Sequence, residues 1–388
     1  MDSGVRRNDD AASGAFRFRS LDTASMQWSP QQDAALTAVS RWLKAGDRQV
    51  FRLFGYAGTG KTTLARHIAE SADGGVVYAA YTGKAAHVMR NKGCVGAGTI
   101  HSLIYRSRGE DENGPTFVLN NDSEAGKAAL IVIDECSMVG EDIGVDLESF
   151  GKPVLVLGDP AQLPPVAGGG YFTVAEPDVM LTEVHRQAAD DPIIRMSMAI
   201  REGGKLEEGA YGASRVIGRN DVEQEEILAA NQILVGRNAT RRSYNGRIRE
   251  LLERRGTVPV AGDTLVCLRN DRKRGLLNGS LWQVDRVRKP RKGLLRYSLT
   301  PDEAESSKRT VVSINPAFFD GTSDALSFAE RKRSDEFDFG YVLTVHKAQG
   351  SQWDDVVLFD ESFAFRENRA RWLYTGITRA ATRITVVR

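Results

Sequence analysis

The chain has 388 residues, of which 41% are hydrophobic and 27% are charged, and its 52 Lys and Arg nearly balance its 51 Asp and Glu. This is the composition of a globular protein with roughly two domains, and its apolar runs are far shorter than the ~20 residues of a membrane-spanning helix. The three cysteines, Cys94, Cys136 and Cys267, are widely separated. They form neither a disulfide framework nor a metal-binding pair, so we expect a reducing, intracellular setting.

The first part of the chain is predicted to be a disordered tail followed by an α/β lobe. Residues 1–26 are mixed in charge, rich in Ser, Ala and Gly, and lack the apolar segment of a signal peptide. From 27 to 184, short apolar segments alternate with helical patterns, which predicts a parallel sheet covered on both faces. The predicted strands are 50–54, 75–80, 129–134, 152–157 and 179–184, and the predicted helices are 30–44, 61–71 and 84–91.

A nucleotide-binding motif follows the first predicted strand. Residues 55–62 read GYAGTGKT, which matches G-x-x-x-x-G-K-[ST] between a strand and a helix, the context that this motif requires. A glycine-rich turn is the alternative, but the flanking elements disfavour it. The glycines let backbone N–H groups surround phosphates, Lys61 can reach the β- and γ-phosphates, and Thr62 can ligate Mg²⁺. The candidate nucleotide-binding residues here are Gly55, Gly58, Thr59, Gly60, Lys61, Thr62 and Thr63.

Two later strand ends carry candidate catalytic groups. The apolar segment 130–133 leads into Asp134 and Glu135. Paired acids at a strand end are also a common surface feature. After a phosphate-binding loop, however, they predict that Asp134 holds Mg²⁺ and that Glu135 orients and deprotonates the attacking water. The strand 154–157 leads into GDPAQLPP, where Gln162 can hydrogen-bond the γ-phosphate or that water; the alternative is a plain proline-rich turn.

A second α/β lobe is predicted in two pieces, 185–258 and 339–388. Its predicted strands are 232–235, 341–345, 355–359 and 383–387, and its predicted helix is 240–254. The intervening 259–338 contains β-rich segments at 264–268, 281–287, 295–299 and 310–314, which predict an inserted barrel or small sheet. The polar stretch 320–338 predicts a mobile connector.

The near-neutral charge of the chain conceals a basic region. Residues 237–296 contain 17 Lys and Arg against 5 Asp and Glu. Such a run is often only a solvated face. Because it overlaps the β-rich insertion, a polyanion-binding surface is a candidate, with Arg272, Lys273 and Arg274 predicted to face a bound strand.

Taken in order, the motifs resemble those of superfamily 1 helicases, closest to the RecD/Dda type in the 5′-to-3′ branch. The resemblance covers about 28–388. It places Gln32, in WSPQQDAA, at the adenine and Gly350, in LTVHKAQGS, at the nucleotide. Arg186, in LTEVHRQ, and Arg379, in LYTGITRA, are implied to be arginine fingers that reach the γ-phosphate from the second lobe. The sequence departs from the family's motifs at two positions. Gln352 stands where many relatives carry a ribose-contacting Glu, and Gly376 stands where Ala is commoner.

The resemblance also implies contacts with a nucleic-acid strand. The implied contacts are Thr82 and Lys84 in YTGKAA, Thr99 and His101 in GTIHSL, and Thr344 and His346 in LTVHKAQGS. The β-rich insertion resembles the SH3-like module of these helicases. The segment 105–119 could form a hairpin pin that splits duplexes, or an ordinary surface loop.

What the resemblance implies is an α/β protein with two RecA-like P-loop lobes, a short hairpin insertion in the first and a small SH3-like insertion in the second. Its activity would be that of an ATP- and Mg²⁺-dependent DNA helicase that translocates 5′ to 3′ on single-stranded DNA and acts at duplex junctions. We expect neither a metal cluster nor a membrane partner. The protein would be a monomer or a subunit of a repair or replication complex, in the cytoplasm of a bacterial or phage-infected cell.

Other functions remain compatible with the same motifs. An RNA helicase or remodeller of the superfamily is one, since the motifs mostly contact backbone. A nucleotide-gated single-strand-binding module is another, although the complete hydrolysis set of Glu135, Gln162 and Arg379 disfavours it. Replication, recombination and repair are all open as pathways.

Overall fold

The computed structural model describes residues 28–72, 74–111, 114–164, 170–183, 190–271, 274–302 and 309–388. In these ranges the strands form two six-stranded sheets, one five-stranded sheet and one two-stranded hairpin. No helix in the described ranges is long and apolar enough to cross a membrane. The predicted disordered tail, 1–26, and Arg186 lie outside the described residues.

The helices are short to medium in length and flank the sheets. In chain order they are α1 (Pro30–Ala45), α2 (Lys61–Glu70), α3 (Gly83–Asn91), α4 (Ile100–Ile104), α5 (Glu124–Lys127), α6 (Glu141–Glu148), α7 (Pro192–Arg201), α8 (Gln224–Ala229), α9 (Asn238–Leu251), α10 (Ala317–Asp320), α11 (Phe328–Lys332) and α12 (Arg369–Ile377).

The strands of the first lobe and its hairpin are β1 (Val50–Gly55), β2 (Val76–Ala80), β3 (Gly98–Thr99), β4 (Tyr105–Asp111), β5 (Gly114–Leu119), β6 (Leu130–Asp134), β7 (Val154–Gly158) and β8 (Val179–Leu181). Those that follow are β9 (Gly209–Tyr211), β10 (Ser214–Ile217), β11 (Gln232–Val235), β12 (Thr264–Cys267), β13 (Leu281–Arg291), β14 (Leu294–Pro301), β15 (Thr310–Ile314), β16 (Phe337–Phe339), β17 (Val342–Thr344), β18 (Trp353–Phe359) and β19 (Ala380–Val387).

The first lobe is built on an all-parallel sheet in the order β3-β2-β6-β7-β1-β8. Within its central strands, the apolar segments Leu130–Ile133 and Val154–Leu157 are fully buried because helices cover both faces. The parallel arrangement brings the carboxyl ends of β1, β6 and β7 to one edge, where the motif residues follow. The segments 105–111 and 114–119 pair as the antiparallel hairpin β4–β5.

The second lobe repeats this architecture with the order β17-β11-β18-β19-β10-β9. All neighbours are parallel except the edge pair β9–β10. The hairpin β9–β10 was not predicted, because two strands of three and four residues around Gly212 leave too little periodic pattern to detect. The predicted α/β fold with two parallel-sheet lobes is confirmed.

The insertion into the second lobe is an antiparallel sheet in the order β15-β14-β13-β12-β16. Its core contains the fully buried aromatic side chains of Trp282, Tyr297 and Phe337. The stretch 320–338, predicted as a connector, contains α11 and most of β16, which completes the sheet by pairing with β12. The three residues of β16 are too few to show the alternation of a longer strand.

Candidate functional site

The phosphate-binding motif forms a tight loop between β1 and α2. Gly58 and Gly60 have φ values of 77° and 81°, in the left-handed region that glycine adopts without strain. The Lys61 side chain folds back across this loop, and its Nζ donates hydrogen bonds to the carbonyl oxygens of Gly55 at 2.6 Å and Tyr56 at 2.9 Å. The ammonium group therefore lies in the curve of the loop, and both of these partners are main-chain carbonyl groups.

The two acids at the end of β6 have different surroundings. Asp134 Oδ2 accepts a hydrogen bond from the Thr62 hydroxyl at 3.0 Å, so the two predicted Mg²⁺ ligands are adjacent. Glu135 is a non-glycine residue with a φ of 53°, a strained conformation of the kind that clusters at functional sites. Burial raises the pKa of Glu135, as does the charge of Asp134, whereas the charges of Arg379 and Lys61 lower it.

The loop after β7 contributes a buried amide. Gln162 is 7% exposed, and its side-chain oxygen has no hydrogen-bond partner among the described residues. A buried acceptor without a partner is costly, which indicates that a water or a ligand supplies a donor here. Gln162 lies on the same cleft as Lys61 and Glu135.

Arg379 reaches this cleft from the second lobe. It is only 5% exposed, and its guanidinium group donates to the carbonyl oxygens of Thr375 at 3.0 Å and Ser351 at 3.1 Å. These bonds hold the guanidinium group in a fixed orientation, as a contact with a developing charge requires.

A cleft of about 340 Å³ between the lobes is lined by most of the residues predicted to bind or hydrolyse the nucleotide. Those that line it are Gly58, Gly60, Lys61, Thr62, Thr63, Asp134, Glu135, Gln162, Gly350 and Arg379. Gln32 lies behind the loop, where its side-chain nitrogen donates to the Thr59 carbonyl oxygen at 3.0 Å, and Gly55 ends β1. Gly350 has a φ of 74°, and a Cβ there would come within 2.9 Å of the Ala85 Cβ in the first lobe, so glycine permits this close approach of the lobes.

Three of the predicted nucleic-acid contacts are hydroxyl groups with structural partners. Thr82 and Thr99 cap α3 and α4 by accepting hydrogen bonds from the N–H groups of Ala85 and Ser102. Thr344 is buried and accepts a hydrogen bond from the Lys347 N–H at 3.3 Å. The described bonds assign these three residues a local structural role, so their contact with a strand stays a prediction.

The other three predicted contacts carry titratable groups. Burial lowers the pKa of Lys84, which lies beside the β-rich insertion, and the charge of Asp302 opposes this shift. His101 packs against Tyr105 and Phe117, with ring centroids 4.7 Å and 4.4 Å away, and burial lowers its pKa. Burial also lowers the pKa of His346. Their contact with a strand likewise stays a prediction.

Sequence reasoning missed the residues that join the two lobes beside the cleft. Tyr374 bonds to the loop residues Ala57 and Asp159, and Thr375 and Gln349 bond to Leu163. All of these residues stand within or next to the quoted motifs, but their partners are up to 317 residues away in the chain. No spacing rule connects residues so far apart.

Two family models match the chain. The one described as an AAA domain matches residues 27–219, and the one described as a UvrD-like helicase C-terminal domain matches residues 339–387.

Among curated proteins, the ATP-dependent RecD2 DNA helicase of Deinococcus radiodurans is 31% identical over 375 residues, which cover 87% of this chain and 47% of that protein. The conjugal transfer protein TraA of Rhizobium radiobacter is 28% identical over 369 residues, which cover 84% of this chain and 30% of that protein. The chain therefore spans half or less of the length of these relatives.

Solved structures show the same fold. The Pif1 helicase from Candida albicans matches with a TM-score of 0.56 and 18% identity, covering 93% of this chain and 94% of that chain. Bacteroides Pif1 bound to single-stranded DNA matches with a TM-score of 0.54 and 18% identity, covering 93% and 92% of the two chains.

Proposed function

Because the chain belongs to the RecD/Pif1-like family of superfamily 1 helicases, we propose that it is an ATP-dependent DNA helicase that translocates 5′ to 3′ on single-stranded DNA. The observation that carries this proposal is the cleft between the lobes. Lys61 and Glu135 enter it from one lobe and Arg379 from the other, so hydrolysis requires both lobes to be in place.

The residues that line the cleft fit Mg·ATP. The loop at 55–62 offers N–H groups and the Lys61 ammonium to the phosphates. The Gln162 oxygen, which has no hydrogen-bond partner in the described ranges, offers an acceptor to the attacking water. Thr62 and Asp134 would hold Mg²⁺, which supplies positive charge to the phosphates. Glu135 accepts the proton of the attacking water at its carboxylate, and Arg379 places a cation where negative charge spreads over the γ-phosphoryl oxygens.

Motion along a strand follows from the same division of residues. Since the phosphates contact groups from both lobes, we propose that binding ATP draws the lobes together and that hydrolysis lets them part. A strand bound by both lobes then advances when tight binding alternates between the two lobes. DNA is preferred to RNA as the track because the relatives RecD2 and Pif1 are described with DNA, and comparing ATPase stimulation by single-stranded DNA and by RNA of equal length tests this preference.

The basic region divides into two sets in the structure. In the first set, arginines pair with acids inside the second lobe and the insertion, as Arg241 does with Asp338 at 2.7 Å and Arg249 with Asp263 at 3.2 Å. Arg274, predicted to face a strand, pairs with Asp271 and Asp335, and its contact with a strand stays a prediction. Its neighbours Arg272 and Lys273 lie outside the described residues.

The second set lies at the tip of the hairpin formed by β13 and β14. Its cations are exposed and, within the described ranges, no carboxylate lies within ion-pair distance of them: Arg286, Arg288, Lys289, Arg291 and Lys292. Exposed cations without carboxylate partners are free to neutralise phosphates. We therefore propose that this basic tip contacts the nucleic-acid backbone without reading sequence.

Neutralising the basic tip should weaken the salt dependence of DNA binding. Each phosphate contact with a single strand contributes about 0.7 to the slope of log K against log salt, so Lys289→Gln, Arg291→Gln and Lys292→Gln together should reduce the slope by up to about 2. Fluorescence anisotropy with a labelled oligonucleotide at several salt concentrations measures the slope.

The matched control for this experiment removes three lysines near the amino ends of the first-lobe strands, Lys44, Lys127 and Lys152, at the sheet edge opposite the cleft. Their replacement by Gln should leave the slope near that of the wild type. If the tip triple and the control triple give the same slope, the basic tip is only a solvated surface.

The hairpin β4–β5 is proposed as the pin that separates the duplex. It lies between α4 and α5 in the first lobe, and the His101 ring packs against Tyr105 and Phe117 of the hairpin. Deleting 109–115 should lower the unwinding rate several-fold more than the single-strand-stimulated ATPase rate, because the hairpin lies apart from the nucleotide cleft. A strand-displacement assay and an ATPase assay on the same preparation measure both rates, and equal losses in the two would remove the separating role.

A further inference from the structure

Next to the nucleotide cleft, one buried tyrosine of the second lobe joins two loops of the first. Tyr374 lies on α12 and is 1% exposed. Its phenol oxygen accepts a hydrogen bond from the N–H of Ala57 in the phosphate-binding loop at 3.0 Å, and its hydroxyl donates to Asp159 Oδ2 in the loop after β7 at 2.6 Å. A single side chain thus links the loops on both sides of the cleft to the other lobe.

A second contact lies beside this one. The guanidinium carbon of Arg201, on α7, lies 3.7 Å from the centroid of the Tyr56 ring, within the distance of a cation–π interaction. Two consecutive residues of the phosphate-binding loop, Tyr56 and Ala57, therefore contact the second lobe. A shift of this loop would therefore change its contacts with α7 and α12.

Thr375, the next residue of α12, contacts the loop after β7. The Thr375 hydroxyl accepts a hydrogen bond from the Leu163 N–H at 2.9 Å, and the Gln349 side chain donates to the Leu163 carbonyl oxygen at 2.9 Å. The Leu163 side chain is buried in the main hydrophobic core of the second lobe. The loop that carries Gln162 is therefore anchored in the opposite lobe immediately after Gln162.

The chemistry of the Tyr374 contact makes it sensitive to lobe separation. Asp159 is 2% exposed, and a buried carboxylate is stable only while donors surround it. Among the described residues, its carboxylate accepts from the Tyr374 hydroxyl and from the Ala161 N–H at 3.0 Å. Burial and the charge of Asp159 raise the pKa of Tyr374, so its hydroxyl stays protonated and donates. Separation of the lobes would remove one donor from Asp159 and both partners from Tyr374.

We propose that Tyr374 is a positioning residue that couples nucleotide binding to lobe closure, and through closure to the hold on a single strand. This inference rests on the proposed function. Because its hydrogen bonds span the lobes, they contribute only when the cleft is closed, and their loss weakens the closed state without touching the nucleotide.

Tyr374→Phe tests this inference, because phenylalanine keeps the packed ring and removes only the two hydrogen bonds. The primary measurement is the ratio of single-strand affinities with and without a non-hydrolysable ATP analogue, a ratio that reports coupling and that lower stability alone does not change. The ratio should fall towards one, and kcat/KM for ATP at saturating single strand should fall about tenfold, the scale of a hydrogen bond to a charged group.

Tyr341→Phe is the matched control. It removes the phenol hydrogen bond to the buried carboxylate of Asp263, at 2.8 Å, in a part of the molecule away from the cleft. Both the affinity ratio and kcat/KM should stay near wild type. Arg201→Gln, which removes the cation over the Tyr56 ring, gives a second test and should lower the ratio by a smaller factor.

The outcomes are distinct. A wild-type ratio and a wild-type kcat/KM in Tyr374→Phe would overturn the inference, as would equal losses in Tyr374→Phe and Tyr341→Phe. If the proposed function itself were wrong, the unaltered protein would show no strand-stimulated ATPase and no nucleotide-dependent strand affinity.

Discussion

Glu135→Gln should lower single-strand-stimulated ATP turnover by a factor of about 10²–10⁴, the range that a positioned general base contributes. The amide keeps the shape of the side chain but cannot accept the proton of the attacking water. Binding of Mg·ATP should stay near wild type, because the phosphate contacts of Lys61 and the loop are unchanged. Steady-state ATPase kinetics and titration with a fluorescent ATP analogue measure the two quantities.

The local structure explains why this carboxylate suits the role. Burial raises the pKa of Glu135, which makes its carboxylate a stronger base. The positive charges of Arg379 and Lys61 oppose that rise. Glu141→Gln, at the exposed start of α6, is the control and should leave turnover unchanged. Turnover near the wild-type rate in Glu135→Gln would show that another group is the base.

Arg379→Ala should lower ATP turnover by a factor of order 10³, the scale of an arginine finger, while the affinity for ATP changes only modestly. The reason is that Arg379 contributes from the second lobe and acts on charge that develops during hydrolysis rather than on the bound nucleotide. ATPase kinetics combined with direct nucleotide binding separate these effects.

Two controls make the Arg379 result specific. Arg379 is buried and donates to main-chain carbonyl groups, so thermal unfolding must show that the variant is folded. Arg383→Ala, an exposed arginine four residues later that pairs with Asp355, should leave turnover near wild type. A loss confined to ATP affinity would make Arg379 a binding residue instead.

Residues whose structure and role follow from the neighbouring sequence were predictable. The longer strands of the two six-stranded sheets contain apolar runs that cannot be solvated, so their positions were predicted to within a few residues, whereas the short β3, β9 and β10 were missed. The ends of β11, and of β15 in the inserted sheet, were predicted as observed. Lys61, Thr62 and Glu135 follow those strands directly, and the carboxyl ends of neighbouring parallel strands meet at one edge. Their convergence on one cleft followed from the fold.

Residues that act through distant partners were not predictable. The bond between Tyr374 and Asp159 joins positions 215 residues apart, and neither residue carries a local pattern that identifies the other. The ion pair of Arg274 with Asp335 likewise joins positions 61 residues apart. A count of charges cannot distinguish such a paired arginine from the exposed cations at the tip of β13 and β14.

Strand displacement with tailed duplexes tests the central claim most directly. The protein is mixed with ATP, Mg²⁺ and a fluorescently labelled DNA duplex that carries a single-stranded tail at either the 5′ or the 3′ end, with Glu135→Gln as the inactive reference. The account predicts that the 5′-tailed duplex is unwound, that the 3′-tailed duplex is not, and that Glu135→Gln unwinds neither. Unwinding from the 3′ tail alone would contradict the proposed direction, and unwinding from neither tail by the unaltered protein would contradict the helicase function itself.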